Sequence, residues 1–257
     1  MRHALLDRLC SLPGARPLLE GGCAVADVGC GCGEAALAVA AAFPRTTVRG
    51  FDTSAKALAV ARAAAAARGV RNAEFFDPGE EERGMGAGVF DLVMTHDAIH
   101  DCARPAAVLA SVRRAMKPGA RWVLGDMGAL ESHAANVASH PLAPLLYGFS
   151  CHLCLPSAMV GENPAGLGTL GLSQVFPPPS LLSRVPPRSL RPAADEAVFA
   201  ACSPALCSPW RSACCARRGS AGWRCWIGAT RSTATTWSPP DLSPADHHAP
   251  RRDLYRC

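Results

Sequence analysis

The stretch Ala24-Val-Ala-Asp-Val-Gly-Cys-Gly-Cys-Gly33, followed by Glu34-Ala-Ala-Leu-Ala-Val-Ala-Ala-Ala-Phe43, decides the fold of this 257-residue chain. Its first five residues form an apolar run that ends at Gly29, which is typical of a buried strand. The second segment is rich in alanine and stops before Pro44, which is typical of a helix. A glycine-rich turn between a buried strand and a helix is either a bare turn or a place where backbone approaches a ligand.

Strands and helices continue to alternate on the C-terminal side of this unit. The sequence predicts strands over 46–51, 73–76, 89–94 and 121–125, and helices over 55–68 and 104–116. This alternation predicts an α/β fold, a Rossmann-like parallel sheet sandwiched by helices. Such sheets bind ligands at the carboxyl ends of their strands. No window of 18 strongly apolar residues occurs, so no membrane span is expected.

The spacing of the glycines separates two kinds of nucleotide site. A dinucleotide fingerprint would need a third glycine at position 34, which is Glu34. The chain instead has an acid-x-G-x-G-x-G pattern, formed by Asp27, Gly29, Gly31 and Gly33. This difference argues against a nicotinamide-dependent oxidoreductase.

The acid-x-G-x-G-x-G pattern is the first motif of class I S-adenosylmethionine (SAM)-dependent methyltransferases, and the chain resembles that family. The resemblance implies that the methyl donor lies across the motif of residues 27–33. It also implies that Asp52, at the end of the second strand, holds both ribose hydroxyls, with Thr53 beside it. The alternative for Asp52 is a helix cap, which Thr53 and Ser54 make less necessary. Asp77, after the third strand, would hydrogen-bond the adenine amine.

The segment Phe90-Asp-Leu-Val-Met-Thr-His-Asp-Ala-Ile-His-Asp101 resembles the family's fourth motif. By this resemblance, Thr95, His96 and Asp97 line the sulfonium end of the site. His100 is the candidate for catalytic proton removal, because an ordinary imidazole titrates near neutral pH. The alternative is that His100 is a structural hydrogen-bonding group that caps the next helix with Asp101.

One subgroup of the family is the most similar. It carries an Ile-His-Asp step, as at 99–101, and then a Cys-Leu-Pro segment, as at 154–156, with Gly-Leu-Gly-Thr at 166–169. In many of its members a winged-helix domain precedes the methyltransferase domain, and we expect none here. The resemblance covers about residues 15–172, with residues 128–160 as the expected acceptor lid.

Composition changes after residue 172. Residues 1–172 carry a net charge of −1, whereas residues 173–257 carry +6 and are rich in Arg, Pro and Ser. We therefore predict a methyltransferase domain over 1–172 that lacks the family's final antiparallel strand pair, and a tail over 173–257. The tail is interpreted as a disordered, out-of-frame or intron-derived product, or as a genuine Arg/Pro-rich interaction segment. Transcript sequences across codon 172 would decide between these origins.

The function implied by the resemblance is methyl transfer from SAM to a small-molecule acceptor. The alternative is a SAM-binding pseudoenzyme or interaction protein left by the missing strands. The sequence lacks the interleaved aromatic and basic residues that would predict specific nucleic-acid binding. The 13 cysteines are not spaced as a disulfide framework, and Cys151-x-x-Cys154 lacks two further zinc ligands at suitable spacing. We therefore expect reduced thiols, no metal and a cytoplasmic protein, with organelle targeting left open and the oligomeric state unspecified.

Overall fold

The core of the fold is one parallel sheet. The computed structural model of the chain describes residues 2–79, 84–130 and 132–173. Five strands form the sheet in the order β3-β2-β1-β4-β5, with all neighbours parallel. They are β1 (Ala24–Val28), β2 (Thr47–Phe51), β3 (Ala73–Phe76), β4 (Phe90–His96) and β5 (Met116–Gly125). The predicted Rossmann-like α/β fold is confirmed.

Helices cover both faces of this sheet. They are α1 (Arg2–Ser11), α2 (Ala15–Gly21), α3 (Glu34–Ala42), α4 (Ala55–Ala67) and α5 (Pro105–Ala115). Two separate groups of buried residues result, because neighbouring residues of a strand point to opposite faces. Leu92 and Met94 pack with α1 to α4 on one face, and Val93 packs with α5 on the other.

The last strand is longer than its sequence predicts. Residues 117–119 read as the end of a helix, yet Met116 already pairs with Phe90 of β4. The register between the two strands shifts before Leu92 pairs with Arg121. Pairing with β4 therefore overrides the local preference of residues 117–119 for a turn, and these residues form an irregular extension of β5.

Beyond β5 the chain forms short helices, and the last of them pack at the carboxyl end of the sheet. These are α6 (His133–Ser139), α7 (Ala143–Phe149), a π-helical turn (Ser150–Cys154), α8 (Leu155–Ala158) and a 3₁₀ segment (Gly168–Ser173). The 3₁₀ segment and α8 both pack against a 3₁₀ turn over Ile99–Asp101. This cover brings residues from the end of the described chain to the strand ends.

Some sequence predictions concern parts of the chain outside these ranges. The tail over 173–257, apart from residue 173, lies outside the described residues, and so does any segment that would supply the final antiparallel strand pair. None of the helices in the described ranges combines the length and apolar character that a membrane span requires.

Candidate functional site

The predicted site residues lie where the strands end. β1 and β4 are neighbours, although β2 and β3 come between them in sequence, so the strand order reverses at this pair. In open α/β sheets, such a reversal is the usual position of a ligand-binding crevice, at the carboxyl ends of the strands. The glycine loop follows β1, and residues 97–101 follow β4. Both therefore border the crevice.

The three loop glycines have different surroundings. All have positive φ, at 75°, 51° and 79° for Gly29, Gly31 and Gly33, a backbone conformation that glycine adopts without strain. A side-chain carbon at Gly29 would overlap Ala98, and one at Gly33 would lie 2.7 Å from the Phe75 ring. At Gly31 the same carbon would meet no atom within 4 Å. The loop therefore packs against protein at its two ends and faces open space at its centre.

Asp52 holds this loop in place. One carboxylate oxygen accepts a hydrogen bond from the Gly31 N–H at 2.7 Å, and the other accepts from the Ser54 N–H at 2.8 Å. Ser54 itself caps α4 by accepting from the Ala57 N–H at 3.2 Å. Asp52 and Thr53 are half-buried beside the loop. Since a carboxylate offers about four lone-pair sites, Asp52 keeps acceptor capacity for hydroxyl groups of a ligand.

Asp27 is a buried acid under the glycine loop. Its side chain lies within the protein, with 1% of the residue exposed, and burial raises its pKa to about 6. The neighbouring His96 charge and the Ala36 N–H act in the opposite direction. Its Oδ2 atom has no hydrogen-bond partner among the described residues. An ionised carboxylate at this position is therefore costly to the unliganded fold.

Replacing Asp27 with asparagine should stabilise the unliganded protein. The folded pKa of about 6 lies above the ordinary value of 3.8, so the burial cost is absent below about pH 3.8, grows as the pH rises from there to about 6 and is complete above it. At pH 7.5 we expect the free energy of unfolding of Asp27→Asn to exceed that of the wild type by about 1–3 kcal/mol. Urea unfolding at pH 4.5 and 7.5 checks this, and an equal difference at both pH values would contradict it.

Three further predicted residues occupy different surroundings. Asp77 is buried, and its Oδ1 accepts from the Gly79 N–H at 2.8 Å. The Thr95 hydroxyl accepts from the indole N–H of Trp122 at 3.1 Å, on the face of the sheet that α5 covers. His96 is the last residue of β4 and is half-buried near Asp27. The strand alternation thus directs Thr95 and His96 to opposite faces.

His100 is the centre of a buried charged cluster. Its Nδ1 lies 2.5 Å from Asp126 Oδ1 and 3.9 Å from Asp97 Oδ1, and its Nε2 lies 3.2 Å from Asp101 Oδ1. Asp126 also accepts from the His100 backbone N–H at 3.3 Å. His100 and Asp126 are each 3% exposed, and Asp97 has a positive φ of 55°. Three carboxylates therefore surround one imidazole ring.

The cluster raises the pKa values of His100 and Cys154. Burial disfavours the charged imidazole, but the Asp126 hydrogen bond and the charges of Asp126, Asp101 and Asp97 outweigh burial and raise the pKa of His100 to about 9. For the buried Cys154, burial and Asp101 together raise the thiol pKa to about 12. His100 is consequently protonated at neutral pH in the metal-free protein, where a general base would have to be neutral.

Two members of this cluster, Asp126 and Cys154, were not among the site residues predicted from the sequence. Asp126 directly follows β5, so the rule that ligands bind at strand ends was the available signal. Cys154 belongs to the Cys-Leu-Pro segment, but only the folded chain brings it beside Asp101. The two thiols of the Cys-x-x-Cys pair are in different environments, since Cys151 is exposed and Cys154 is buried.

Comparison with known proteins found a match to one family model and to solved structures. Residues 26–122 match the family model described as a methyltransferase domain. Among solved structures, the YcgJ protein of Bacillus subtilis is 23% identical, with a TM-score of 0.44 over 60% of this chain and 58% of that one. A Bacillus halodurans protein described as a methyltransferase is 27% identical, with a TM-score of 0.43 over 53% and 55%.

These structural matches span less than two thirds of the solved chains. No curated protein is similar enough to this chain to be matched. The matched residues 26–122 begin in β1 and end in β5, and so contain the glycine loop and the segment after β4. Residues 26–122 are thus similar to a methyltransferase domain, and they contribute to a Rossmann-like parallel sheet.

Proposed function

We propose that this domain transfers a methyl group from SAM to a small-molecule acceptor. The observation that carries the proposal is the glycine loop, which faces open space at Gly31 and is held by Asp52 at the point where strand order reverses. The fold of the matched family and the first and fourth motifs support the same activity. The identity of the donor rests on the resemblance to the class I family.

The residues around the loop fit such a donor. Space at Gly31 admits a ligand that a side chain would exclude, and Asp27 offers a buried, unpartnered carboxylate oxygen beneath the loop. Asp52 and Thr53 are proposed to hold the ribose hydroxyls, and Asp77 the adenine amine. When bound, SAM supplies a methyl group on a positively charged sulfur, so alignment of the acceptor provides much of the rate.

The acceptor is proposed to bind beneath the short helices that follow β5. This region carries several large exposed apolar side chains, namely Val137, Leu145, Phe149, Leu153 and Met159. His100 remains the candidate that contacts the acceptor, but its raised pKa gives it a proton at neutral pH. In the metal-free protein both ring nitrogens also lie beside carboxylates, Asp126 at 2.5 Å and Asp101 at 3.2 Å, so His100 is not proposed to remove a proton from the acceptor.

The test is calorimetric titration of S-adenosylhomocysteine into the full-length chain and two glycine variants. Gly31→Ala and Gly69→Ala make the same change at positions with positive φ of 51° and 65°, and neither added carbon meets an atom within 4 Å. Both variants therefore carry a similar backbone strain of about 1–2 kcal/mol. Only Gly31 borders the proposed donor site, since Gly69 lies at the exposed end of α4.

We expect wild type and Gly69→Ala to bind the ligand, and Gly31→Ala to lose at least about tenfold in affinity, which corresponds to about 1.4 kcal/mol. Circular dichroism and unfolding curves should show that both variants are folded. Equal affinities in the two variants would contradict the placement of the donor on the loop. If folded wild-type protein does not bind the ligand, the proposed cofactor is wrong, and a parallel titration with NAD would test the oxidoreductase alternative.

A further inference from the structure

We propose that His100, Asp101 and Cys154 form a binding site for one zinc ion. The ligand atoms would be His100 Nε2, Asp101 Oδ1 and Cys154 Sγ. This site lies beside the donor loop but is distinct from it, and its existence does not depend on the proposed methyl transfer. The proposal departs from the sequence expectation of no metal.

The three side chains are already close enough to share an ion. One ligand atom from each lies within 4.8 Å of the other two, and His100 Nε2 is 3.2 Å from Asp101 Oδ1. In a tetrahedral zinc site, with bonds of about 2.0–2.3 Å, the ligand atoms are about 3–4 Å apart. Small side-chain adjustments would therefore complete the geometry.

The surroundings of His100 are those of a metal-binding histidine. Asp126 Oδ1 lies 2.5 Å from Nδ1, which places the Nδ1 proton toward this carboxylate and directs Nε2 toward Asp101 and Cys154. Histidines that bind metals usually donate their other ring N–H to a carboxylate in this way. The same contact excludes Nδ1 as a ligand and disfavours an alternative site formed by Asp97, His100 and Asp126.

Asp101 provides a second indication. Its Oδ1 atom is buried and makes no hydrogen bond within the described part of the chain, although buried carboxylate oxygens are normally paired. The atom is oriented toward the His100 ring. A cation between His100, Asp101 and Cys154 would satisfy this oxygen.

Charge and ligand type specify the ion. Three carboxylates lie within 3.9 Å of the single imidazole ring, so a divalent cation would balance the local negative charge. The mixed nitrogen, oxygen and sulfur donors favour Zn²⁺ over Mg²⁺ or Ca²⁺, which prefer oxygen ligands alone. Three protein ligands would leave the fourth position of the ion open, as in zinc sites that bind a water or substrate.

The test uses the full-length chain after treatment with a chelator. Zn²⁺ is titrated by calorimetry, and Co²⁺ is added separately to record absorption from a thiolate-to-cobalt transition. The matched variants are Cys154→Ser and Cys151→Ser, which remove thiols three residues apart. Asp126→Asn serves as a third variant, because loss of the carboxylate behind a histidine ligand weakens metal binding by about 10–100-fold.

We expect wild type and Cys151→Ser to bind one equivalent of zinc through this site, and Cys154→Ser to lose that equivalent and the cobalt band. Zinc binding and a cobalt band that persist in Cys154→Ser would overturn the assignment and point to other cysteines. Absence of both signals in folded wild-type protein would also overturn it, whatever the stability of the variants. Titration of S-adenosylhomocysteine into the same samples separates failure of this site from failure of the donor site.

Discussion

Replacing Asp126 with alanine should lower the free energy of unfolding of the metal-free protein at pH 7 by about 3–5 kcal/mol. The substitution leaves the His100 imidazolium buried without its closest carboxylate, which lies 2.5 Å away in the wild type. It also removes the acceptor of the His100 and Met127 backbone N–H groups. Equilibrium urea unfolding, monitored by circular dichroism, measures the loss.

The same interaction should give stability a defined pH dependence. The pKa of His100 is raised from 6.5 to about 9 in the folded state, so the folded protein holds its proton more tightly than the unfolded chain. The stabilisation is fully present below pH 6.5 and is lost as the pH rises through about 9. Its size is on the order of 3 kcal/mol, because one pKa unit corresponds to about 1.4 kcal/mol.

Unfolding curves between pH 6 and 10 test this dependence with two comparison variants. Asp126→Asn keeps the side-chain shape but removes the charge, so its stability should fall less steeply over this range than that of the wild type. Glu162→Ala removes an exposed acid and should change stability by less than about 0.5 kcal/mol. Parallel curves for wild type and Asp126→Asn would show that His100 does not titrate as described.

Replacing Gly33 with alanine should lower the free energy of unfolding by about 2–5 kcal/mol. The backbone at Gly33 has a φ of 79°, which is strained for any residue with a side chain. The added carbon would also lie 2.7 Å from the Phe75 ring and 2.9 Å from the Ala61 side chain. Both neighbours belong to the core, so they cannot move away freely.

Gly119→Ala separates the two causes of this loss. Gly119 has a similar φ of 73°, but an added carbon there meets no atom within 4 Å. This variant should therefore show only the backbone strain, and the difference between the two variants measures the steric conflict. Combining Gly33→Ala with Phe75→Leu should make the alanine less costly than it is alone. Equal losses for Gly33→Ala and Gly119→Ala would contradict the packing described here.

Much of the sheet follows from local patterns in the sequence. The predicted bounds of β1 and β3 agree with Ala24–Val28 and Ala73–Phe76, because short apolar or aromatic runs are flanked there by clear turn residues. The helix predicted from Ala55 begins at that residue, since Ser54 supplies a local cap. Such signals involve neighbouring residues only, so they can be recognised without the fold.

The parts that sequence missed depend on contacts between distant residues. The extension of β5 to Met116 comes from pairing with Phe90, which overrides the turn signals at 117–119. The motif pattern singled out His100, but its raised pKa comes mainly from Asp126, which is 26 residues away. Cys154 joins the same cluster only because the helices after β5 fold back over the strand ends.

Thr95 shows an intermediate case. The family resemblance predicts that Thr95 contacts the donor. In the structure, the Thr95 hydroxyl instead accepts a hydrogen bond from Trp122 on the face that α5 covers. Alternation along β4 already directs Val93 and Thr95 to the same face. The motif therefore identifies the strand that borders the site, while the strand period decides which side chains point away from it.

The position of Cys154 in the cluster depends on the number of residues in the π-helical turn over Ser150–Cys154. Residues 143–158 form consecutive helical turns, and a π turn accommodates one residue more than an α turn. Removing one residue within it would restore regular α-helix and rotate the following segment by about 100°. Cys154 would then leave its place beside Asp101 and His100. A one-residue deletion would thus abolish this arrangement while keeping every side chain that forms it.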